Sequence, residues 1–235
     1  MSVAPLDRIL VTSRDFDEYL LMFGLDEHEV LGTSVLDCPG GASDFTAAVC
    51  ARGGTAVSAD PLYAAGPDEV GAVVSAHLDR AVARAAEAAA MYDLGWAGGV
   101  DGYVARRRRA SARFLADFTA DRSGGGGRYV AAALPALPFA DHTFGLTLVP
   151  NLLFTYANLF DGRWHLAALR ELMRVSAEVR VHPLADSSGT PYPLLAALRE
   201  ELALVDGIDS EVRASAYRLH RYPDATLICR RGEAG

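Results

Sequence analysis

The sequence predicts an α/β fold in which helices cover both faces of a doubly wound, mostly parallel sheet of seven strands that ends in an antiparallel hairpin. Two observations predict this fold. Two strand-like runs near the N-terminus are each followed by a helical pattern, and two strand-like runs near the C-terminus flank a short turn. Because parallel strands need a crossover between them, consecutive strand–helix units predict a parallel sheet.

The N-terminal elements follow in order. A short amphipathic helix is predicted over residues 15–25, ended by Gly24. Residues 34–37 form a short apolar strand that meets a glycine turn and continues as a helix over 42–52. A second strand over 55–60 ends on a carboxylate, as the first one does.

The next stretch, residues 67–121, is helical and rich in alanine. A crossover between parallel strands needs about a dozen residues, so this stretch is several times longer than the connection requires. We interpret it as a helical insertion after the second strand, inside one domain spanning residues 1–235. We expect it to form a lid over the substrate pocket.

The C-terminal half begins after the glycine loop at 124–127. Strands are predicted over 128–132, 144–149 and 178–182, with a helix over 165–175 before the last of them. The tail is predicted to form a hairpin whose strands are 214–221 and 225–230, joined through 222–224.

Composition excludes several classes of function. The 22 basic and 30 acidic residues give a net charge of −8, which disfavours nucleic-acid binding. Apolar runs are far shorter than the ~20 residues that cross a bilayer, and the N-terminus lacks a signal-peptide core. The three scattered cysteines and six histidines show no metal-ligand spacing. We therefore expect a soluble cytoplasmic protein without metal, membrane or nucleic acid, acting on a small molecule.

The turn after the first strand is the candidate ligand site, because ligands bind at the carboxyl ends of parallel strands where the strand order reverses. It has no Lys-Ser/Thr pair and so is not a P-loop, and Pro39 and Ser43 interrupt a dinucleotide glycine pattern. Asp37 would repel a pyrophosphate but attract a ligand that carries an ammonium group. Asp60, at the end of the second strand, is placed to accept ribose hydroxyls.

Four segments together resemble the class I S-adenosylmethionine-dependent methyltransferases: the run Val35-Leu-Asp37-Cys-Pro-Gly-Gly-Ala-Ser43, the acid Asp60, the run 137–144, and Glu171-Leu-Met-Arg174-Val. The resemblance covers residues 30–62 and 128–183. It implies a Rossmann-like domain that binds S-adenosylmethionine and releases S-adenosylhomocysteine or methylthioadenosine. The chain departs from the family by lacking Pro-Gly-Gly after Val175, so the helix there should run directly into the next strand.

The resemblance also implies a set of cofactor-binding residues. Asp37 and the Gly40-Gly41 backbone would contact the methionine portion, and Asp60 would hold the ribose. Family members often place an acid after the third strand, where this chain has Ala133. The full set is Asp37, Pro39, Gly40, Gly41, Ser43, Asp60, Pro61, Leu62, Ala133, Leu134 and Asn151.

Candidate catalytic and substrate residues follow the fourth strand or lie in the helical insertion. Asn151 is expected to face the sulfonium, and His165 or Tyr156 is a candidate general base, although a capping or packing role for His165 is equally compatible with its position. Aromatic faces attract cations, so several aromatic rings are predicted to form a cage around the sulfonium on the substrate side. The alternative is that these rings pack in the core. The members of the cage are Tyr92, Trp96, Tyr103 and Phe154, with Tyr156 as a further candidate ring.

The run Arg106 to Arg109 is better explained by a solvated, salt-bridged helix than by a nucleic-acid patch, because four consecutive residues surround a helix. One of these arginines, or Arg113, remains a candidate for binding a substrate carboxylate.

Three functions stay open at this stage. The first is methyl transfer to a small molecule, which depends mainly on positioning and on exclusion of water. The second is release of methylthioadenosine, by aminocarboxypropyl transfer or by cyclisation to azetidine-2-carboxylate. The third is a non-catalytic binding module, because a fold does not fix a function. The sequence does not identify the acceptor or the oligomeric state.

Overall fold

The computed structural model describes residues 8–87, 92–217, 219 and 224–232, and a single sheet forms its centre. The seven strands are β1 (Ser34–Asp37), β2 (Thr55–Ala59), β3 (Tyr129–Val130), β4 (Phe144–Pro150), β5 (Ser176–His182), β6 (Ile208–Ala214) and β7 (Ala225–Arg231). Their order is β3-β2-β1-β4-β5-β7-β6. The pairs from β3 to β5 are parallel, and β7 is antiparallel to both β5 and β6. The predicted mixed sheet with a C-terminal hairpin is confirmed.

Seven α-helices are described: α1 (Phe16–Phe23), α2 (Glu27–Leu31), α3 (Phe45–Ala51), α4 (Pro67–Glu87), α5 (Gly99–Gly124), α6 (Gly162–Val175) and α7 (Leu195–Asp206). The predicted N-terminal helix is present as α1. The Asp15 side chain caps its start by accepting from Glu18 N, and Gly24 ends it in the left-handed conformation that glycine adopts without steric cost.

The sheet separates two apolar layers. Val35 and Leu36 are adjacent in β1 and point to opposite faces, as strand geometry requires. Val35 packs with Phe45 of α3 in one layer, whereas Leu36 lies in the other layer with Leu169 of α6. Helices therefore cover both faces of the sheet, as predicted.

The helical connection between β2 and β3 consists of α4 and α5, and predicted residues 88–91 lie outside the described residues. Four aromatic rings, from Tyr63, Phe114, Phe118 and Tyr129, pack beside β3 with centroid separations of 5.4 to 5.9 Å. This cluster attaches α5 to the edge of the sheet. That the connection acts as a lid stays a prediction.

The first strand of the C-terminal hairpin was predicted at the wrong position in the chain. That strand was expected over 214–221, but β6 spans Ile208–Ala214, and Ala214 pairs with Ala225 to close the hairpin. Only Ile208 of β6 is buried, because β6 is the outermost strand, so its sequence lacks the apolar alternation of a covered strand. Of the predicted segment, residues 218 and 220–223, including the turn at Tyr222, lie outside the described residues.

Other boundaries agree more closely. Helix α6 ends at Val175 and β5 begins at Ser176, so the loop missing from the family pattern is absent here as expected. Helices α2 and α7 were not predicted. Throughout the described part of the chain, no helix has both the length and the apolarity that crossing a membrane demands.

Candidate functional site

Two adjoining cavities lie at the carboxyl ends of the parallel strands. The first has a volume of about 450 Å³ and opens where β1 and β4 are neighbours, the point at which the strand order reverses. Eight of the predicted cofactor residues line it: Pro39, Gly41, Asp60, Pro61, Leu62, Ala133, Leu134 and Asn151. Tertiary structure thus brings most of the predicted set together in one cavity.

Asp60 occupies a fixed position in the wall of this cavity. Its Oδ1 accepts a hydrogen bond from Leu62 N, and its Oδ2 accepts one from Gly41 N, both at 2.9 Å. Burial raises the pKa of Asp60, and the two backbone amides oppose that shift. Each carboxylate oxygen retains capacity for a further donor, so Asp60 can accept hydroxyl groups from a ligand.

Gly41 makes this arrangement possible. Its φ of +55° lies in the left-handed region, and a Cβ atom would come within 3.1 Å of Thr12 O. A side chain at this position would therefore strain the backbone and crowd Thr12, which lines the same cavity.

Three predicted cofactor residues support the wall from behind and are not part of it. A Cβ atom on Gly40 would lie 1.7 Å from Ser58 Oγ, so this glycine serves internal packing. Ser43 Oγ accepts from Phe45 N at 3.1 Å. Asp37 is 1% exposed, and Tyr19 OH donates to its Oδ1 at 2.9 Å.

The second carboxylate oxygen of Asp37 is unusual. Among the described residues, Asp37 Oδ2 is buried without a hydrogen-bond partner. Burial raises the pKa of Asp37 well above its usual range, and the nearby Asp60 adds to that shift. A cation brought close to this carboxyl would favour its charged form and oppose the shift.

The second cavity, of about 110 Å³, adjoins the first, since Leu10, Thr12 and Asn151 belong to both walls. Tyr92, Tyr103 and Tyr156, all predicted, line this second cavity. Asn151 has a φ of 49° at the end of β4. Tyr156 OH accepts from Leu10 N at 3.0 Å.

His165, in α6, is completely buried. It does not belong to the wall of either cavity in the described part of the chain. Its Nδ1 lies 2.7 Å from Asp161 O and its Nε2 lies 2.8 Å from Leu153 O. Because both ring nitrogens face backbone carbonyls inside the fold, this geometry favours the packing role over that of a general base.

Two predicted substrate residues also lie away from the cavities, as far as the described walls extend. Phe154 stacks on the His165 ring with a centroid separation of 5.6 Å. Trp96 packs against Tyr217 at 5.2 Å, with the Arg106 guanidinium 5.1 Å from its ring. The predicted aromatic cage is thus only partly assembled.

Several cavity residues were missed by the sequence analysis. Residues 9–12 line the first cavity, and Val11 N donates to His77 Nδ1 of α4 at 2.8 Å. Arg14, Thr155, His182 and Asp224 line the second cavity. His182 ends β5, so the strand-end rule that found Asp60 would also have found it.

A buried ionic cluster stands beside the second cavity. Glu18 is fully buried and pairs with both terminal nitrogens of Arg107, with Tyr217 OH donating to its Oε1 at 2.6 Å. Burial would raise the pKa of Glu18, but Arg107 and Arg14 hold it below its usual value. Of the arginine run, Arg107 is therefore internal, whereas Arg108 is exposed.

Across the described ranges, no group of three or more His, Cys, Asp or Glu side chains has the arrangement needed to hold a metal ion.

Comparison with known proteins gives one relative and several distant structures. No protein-family model matches the chain. The uncharacterized protein MJ0045 of Methanocaldococcus jannaschii is 28% identical over 214 residues, which cover 90% of this chain and 94% of that protein.

Among solved structures, Thermoplasma acidophilum 1320 is 12% identical with a TM-score of 0.39, covering 89% of this chain and 84% of that one. TnmH is 14% identical with a TM-score of 0.44, covering 91% and 54%. A SAM-dependent methyltransferase from Aquifex aeolicus is 14% identical with a TM-score of 0.36, covering 91% and 93%. At TM-scores this low, the solved structures do not support an inference about this chain. The fold assignment therefore depends on the order and pairing of the strands.

Proposed function

We propose that this protein is an S-adenosylmethionine-dependent transferase that moves a methyl group to a small molecule. The observation that carries the proposal is the Asp60 carboxylate, held by Gly41 and Leu62 in the wall of the first cavity, at the point where the strand order reverses. An acid at this place suits the two hydroxyls of a ribose.

The remaining wall fits the other parts of this cofactor. Pro61, Leu62 and Leu134 offer apolar surface to an adenine. Asp37, directly before the wall residue Cys38, is a buried carboxyl with an unpaired oxygen within the described chain, and a cationic ligand would stabilise its charged form. Asn151, shared by the two cavities, is the residue we assign to the meeting point of cofactor and acceptor.

The bound cofactor would supply an activated methyl group on its sulfonium, so the protein needs to contribute mainly position and shelter. Asp60 would orient the ribose, while residues 9–12, which line the cavity, would help to exclude water. The hydrogen bond from Val11 N to His77 holds this segment against α4.

Isothermal titration calorimetry with S-adenosylmethionine tests the proposal. We expect the wild type to bind and Asp60→Asn to bind about 10- to 150-fold more weakly, which corresponds to the loss of about 1.5–3 kcal/mol of charge-assisted hydrogen bonding. Asp209→Asn is the matched control, because Asp209 is exposed on β6 and is not part of either cavity wall in the described chain. Equal binding by Asp60→Asn and the control would reject the proposed site.

Product analysis then identifies the bond that breaks. Incubation with the cofactor and a metabolite extract, followed by mass spectrometry, should yield S-adenosylhomocysteine if the methyl group is transferred. Formation of methylthioadenosine would instead indicate that the enzyme uses the aminocarboxypropyl group and not the methyl group. A protein that binds the cofactor but forms neither product would support the binding-module alternative.

A further inference from the structure

The second cavity contains charged groups that are not needed for binding a methyl donor in the first cavity. We propose that it binds the acceptor as an α-amino acid, with the ligand carboxylate at Arg14 and the ligand amino group at Asp224. This inference depends on the proposed transferase function and names the class of its substrate.

Arg14 provides the cationic end of the cavity. It is 6% exposed, lines the second cavity and not the described wall of the first, and bonds through NH1 to Thr12 Oγ1. Its Nε lacks a hydrogen-bond partner within the described chain; the nearest carboxylate oxygen, Glu18 Oε1, is 3.5 Å away.

The local charge balance also favours an anion at Arg14. Both oxygens of Glu18 are already engaged by Arg107, and Glu18 gives Arg14 a contact at 3.5 Å. Arg14 also acts on the buried Asp37 carboxyl, but burial raises the pKa of Asp37 well above its usual range, so Asp37 is a poor counter-ion for Arg14. A buried charge is costly unless it is paired and hydrogen-bonded, and a carboxylate is the natural partner for a guanidinium. A ligand carboxylate would complete the pairing that Glu18 leaves incomplete.

Thr155 adds an independent indication of a polar ligand. Its side chain is 7% exposed, it lines the second cavity, and its Oγ1 is buried without a hydrogen-bond partner in the part of the chain that the structure describes. Buried hydroxyls are normally hydrogen-bonded, so an unused hydroxyl in a cavity wall points to a partner that arrives with the ligand.

Asp224 provides the anionic end. Its Oδ1 accepts from Ala225 N at 2.8 Å and from Leu184 N at 3.3 Å, which fixes the carboxyl group at the start of β7. Its Oδ2 lies 3.6 Å from His182 Nε2. Burial lowers the pKa of His182 to about 3, and Arg14 adds to this effect, so the ring is neutral near pH 7 and is no counter-ion for Asp224.

One compact zwitterion satisfies both ends better than a simple acid or a simple amine. A carboxylic acid would leave Asp224 without a cation, and an amine would leave Arg14 without an anion. The other acid in the wall, Asp186, is occupied by its own turn, since its Oδ1 accepts from the amides of Ser188 and Thr190. The wall residues shared with the first cavity would keep such a ligand next to the methyl donor.

Asp224 can also take part in the transfer. Burial raises its pKa to about 6, close to the range in which a carboxylate exchanges protons at physiological pH. Asp224 Oδ2 accepts one proton from the ligand ammonium, and the freed nitrogen lone pair forms the new N–C bond to the methyl group. The electrons of the broken C–S bond stay on sulfur, which becomes a neutral thioether.

The test is ligand-observed NMR with single α-amino acids as probes, in the presence of saturating S-adenosylhomocysteine and again without it. We expect at least one amino acid to bind, and its N-acetyl and methyl-ester derivatives to bind at least tenfold more weakly. Arg14→Met and Asp224→Asn should each weaken the amino acid at least tenfold. Arg108→Met, on an exposed arginine, is the matched control.

Thr155→Val keeps the test decisive if the charge variants unfold. Thr155 Oγ1 makes no hydrogen bond to any described residue, so its removal should leave the fold intact, while the loss of one ligand hydrogen bond weakens binding about two- to twelve-fold. Unchanged affinity of Thr155→Val for the amino acid, or failure of every amino acid to bind, overturns the inference.

If Arg14→Met weakens the binding of S-adenosylmethionine and not that of the amino acid, Arg14 holds the cofactor and the inference is also wrong. Failure of the cofactor alone to bind contradicts the proposed function instead, and the measurement without cofactor still reports on the second cavity.

Discussion

Replacing Arg107 by Met should destabilise the protein strongly, because it leaves a buried carboxylate without its main partner. Arg107 is 3% exposed and forms a two-point pair with Glu18, which is fully buried. Its NH1 also donates to Ser13 O at 2.6 Å, and its guanidinium lies 4.4 Å from the centroid of the Tyr103 ring. Arg107 therefore connects α5 to α1 and to the chain segment at Ser13 that precedes α1.

The magnitude follows from the partners that remain. Removing one member of a buried ion pair typically costs about 3–5 kcal/mol. Glu18 would keep the hydrogen bond from Tyr217 and the weaker contact with Arg14, so we expect a loss near the lower end, about 3 kcal/mol. For a chain of this size, that loss lowers the melting temperature by roughly 6–12 °C.

Urea unfolding followed by circular dichroism measures the loss directly. Arg108→Met is the control, since it makes the same substitution at the next position of α5, where the side chain is exposed. The double variant Glu18→Gln/Arg107→Met should lose less stability than the sum of the two single variants, because it removes both members of the pair. If Arg107→Met is within about 1 kcal/mol of the control, the pair makes no net contribution and our reasoning is wrong.

Three further predictions concern packing and titration. Gly40→Ala should cost about 1–3 kcal/mol, because its Cβ would lie 1.7 Å from Ser58 Oγ, whereas Gly71→Ala, which meets no atom within 4 Å, should be neutral or stabilising in the same thermal melt. Burial raises the pKa of the Asp44 carboxyl to about 6, so protonation of this group stabilises the folded protein. This stabilisation is present in full below about pH 4 and is lost as the pH rises to about 6. Asp44→Asn should remove that slope, by up to about 3 kcal/mol, and parallel pH curves would contradict the assignment. Phe118→Ala should cost about 3–5 kcal/mol in urea unfolding, because the ring is fully buried among three others; a loss below about 1 kcal/mol would show that the cluster repacks.

Much of the fold and part of the candidate site were predictable because their signals are local. The run 34–37, the glycine turn and the acid at position 60 lie within one strand–helix–strand unit, and strand ends in a parallel sheet meet at one edge. The same rule applied to β5 would have added His182. Helix α2 also had a local signal, since Asp26 and Glu29 form a capping box.

The differences between prediction and structure have physical causes as well. His165 was a candidate base because it begins a helix after the fourth strand, but the side on which it is buried depends on the loop that packs over it. That loop supplies Leu153 O as the partner of His165 Nε2. Strand β6 was misplaced because an exposed edge strand has no apolar periodicity to reveal it.

Local patterns in the amino-acid order thus determine β1, β2, the turn between β1 and α3, and Asp60, since apolar periodicity and turn chemistry act over a few residues. The lining of the first cavity by residues 9–12, the burial of Arg107 among four arginines, and the placement of Arg14 and Asp224 in the wall of one second cavity come from the packing of distant segments. Contacts between residues far apart in the chain depend on how whole elements fit together, and no short window of sequence contains that information.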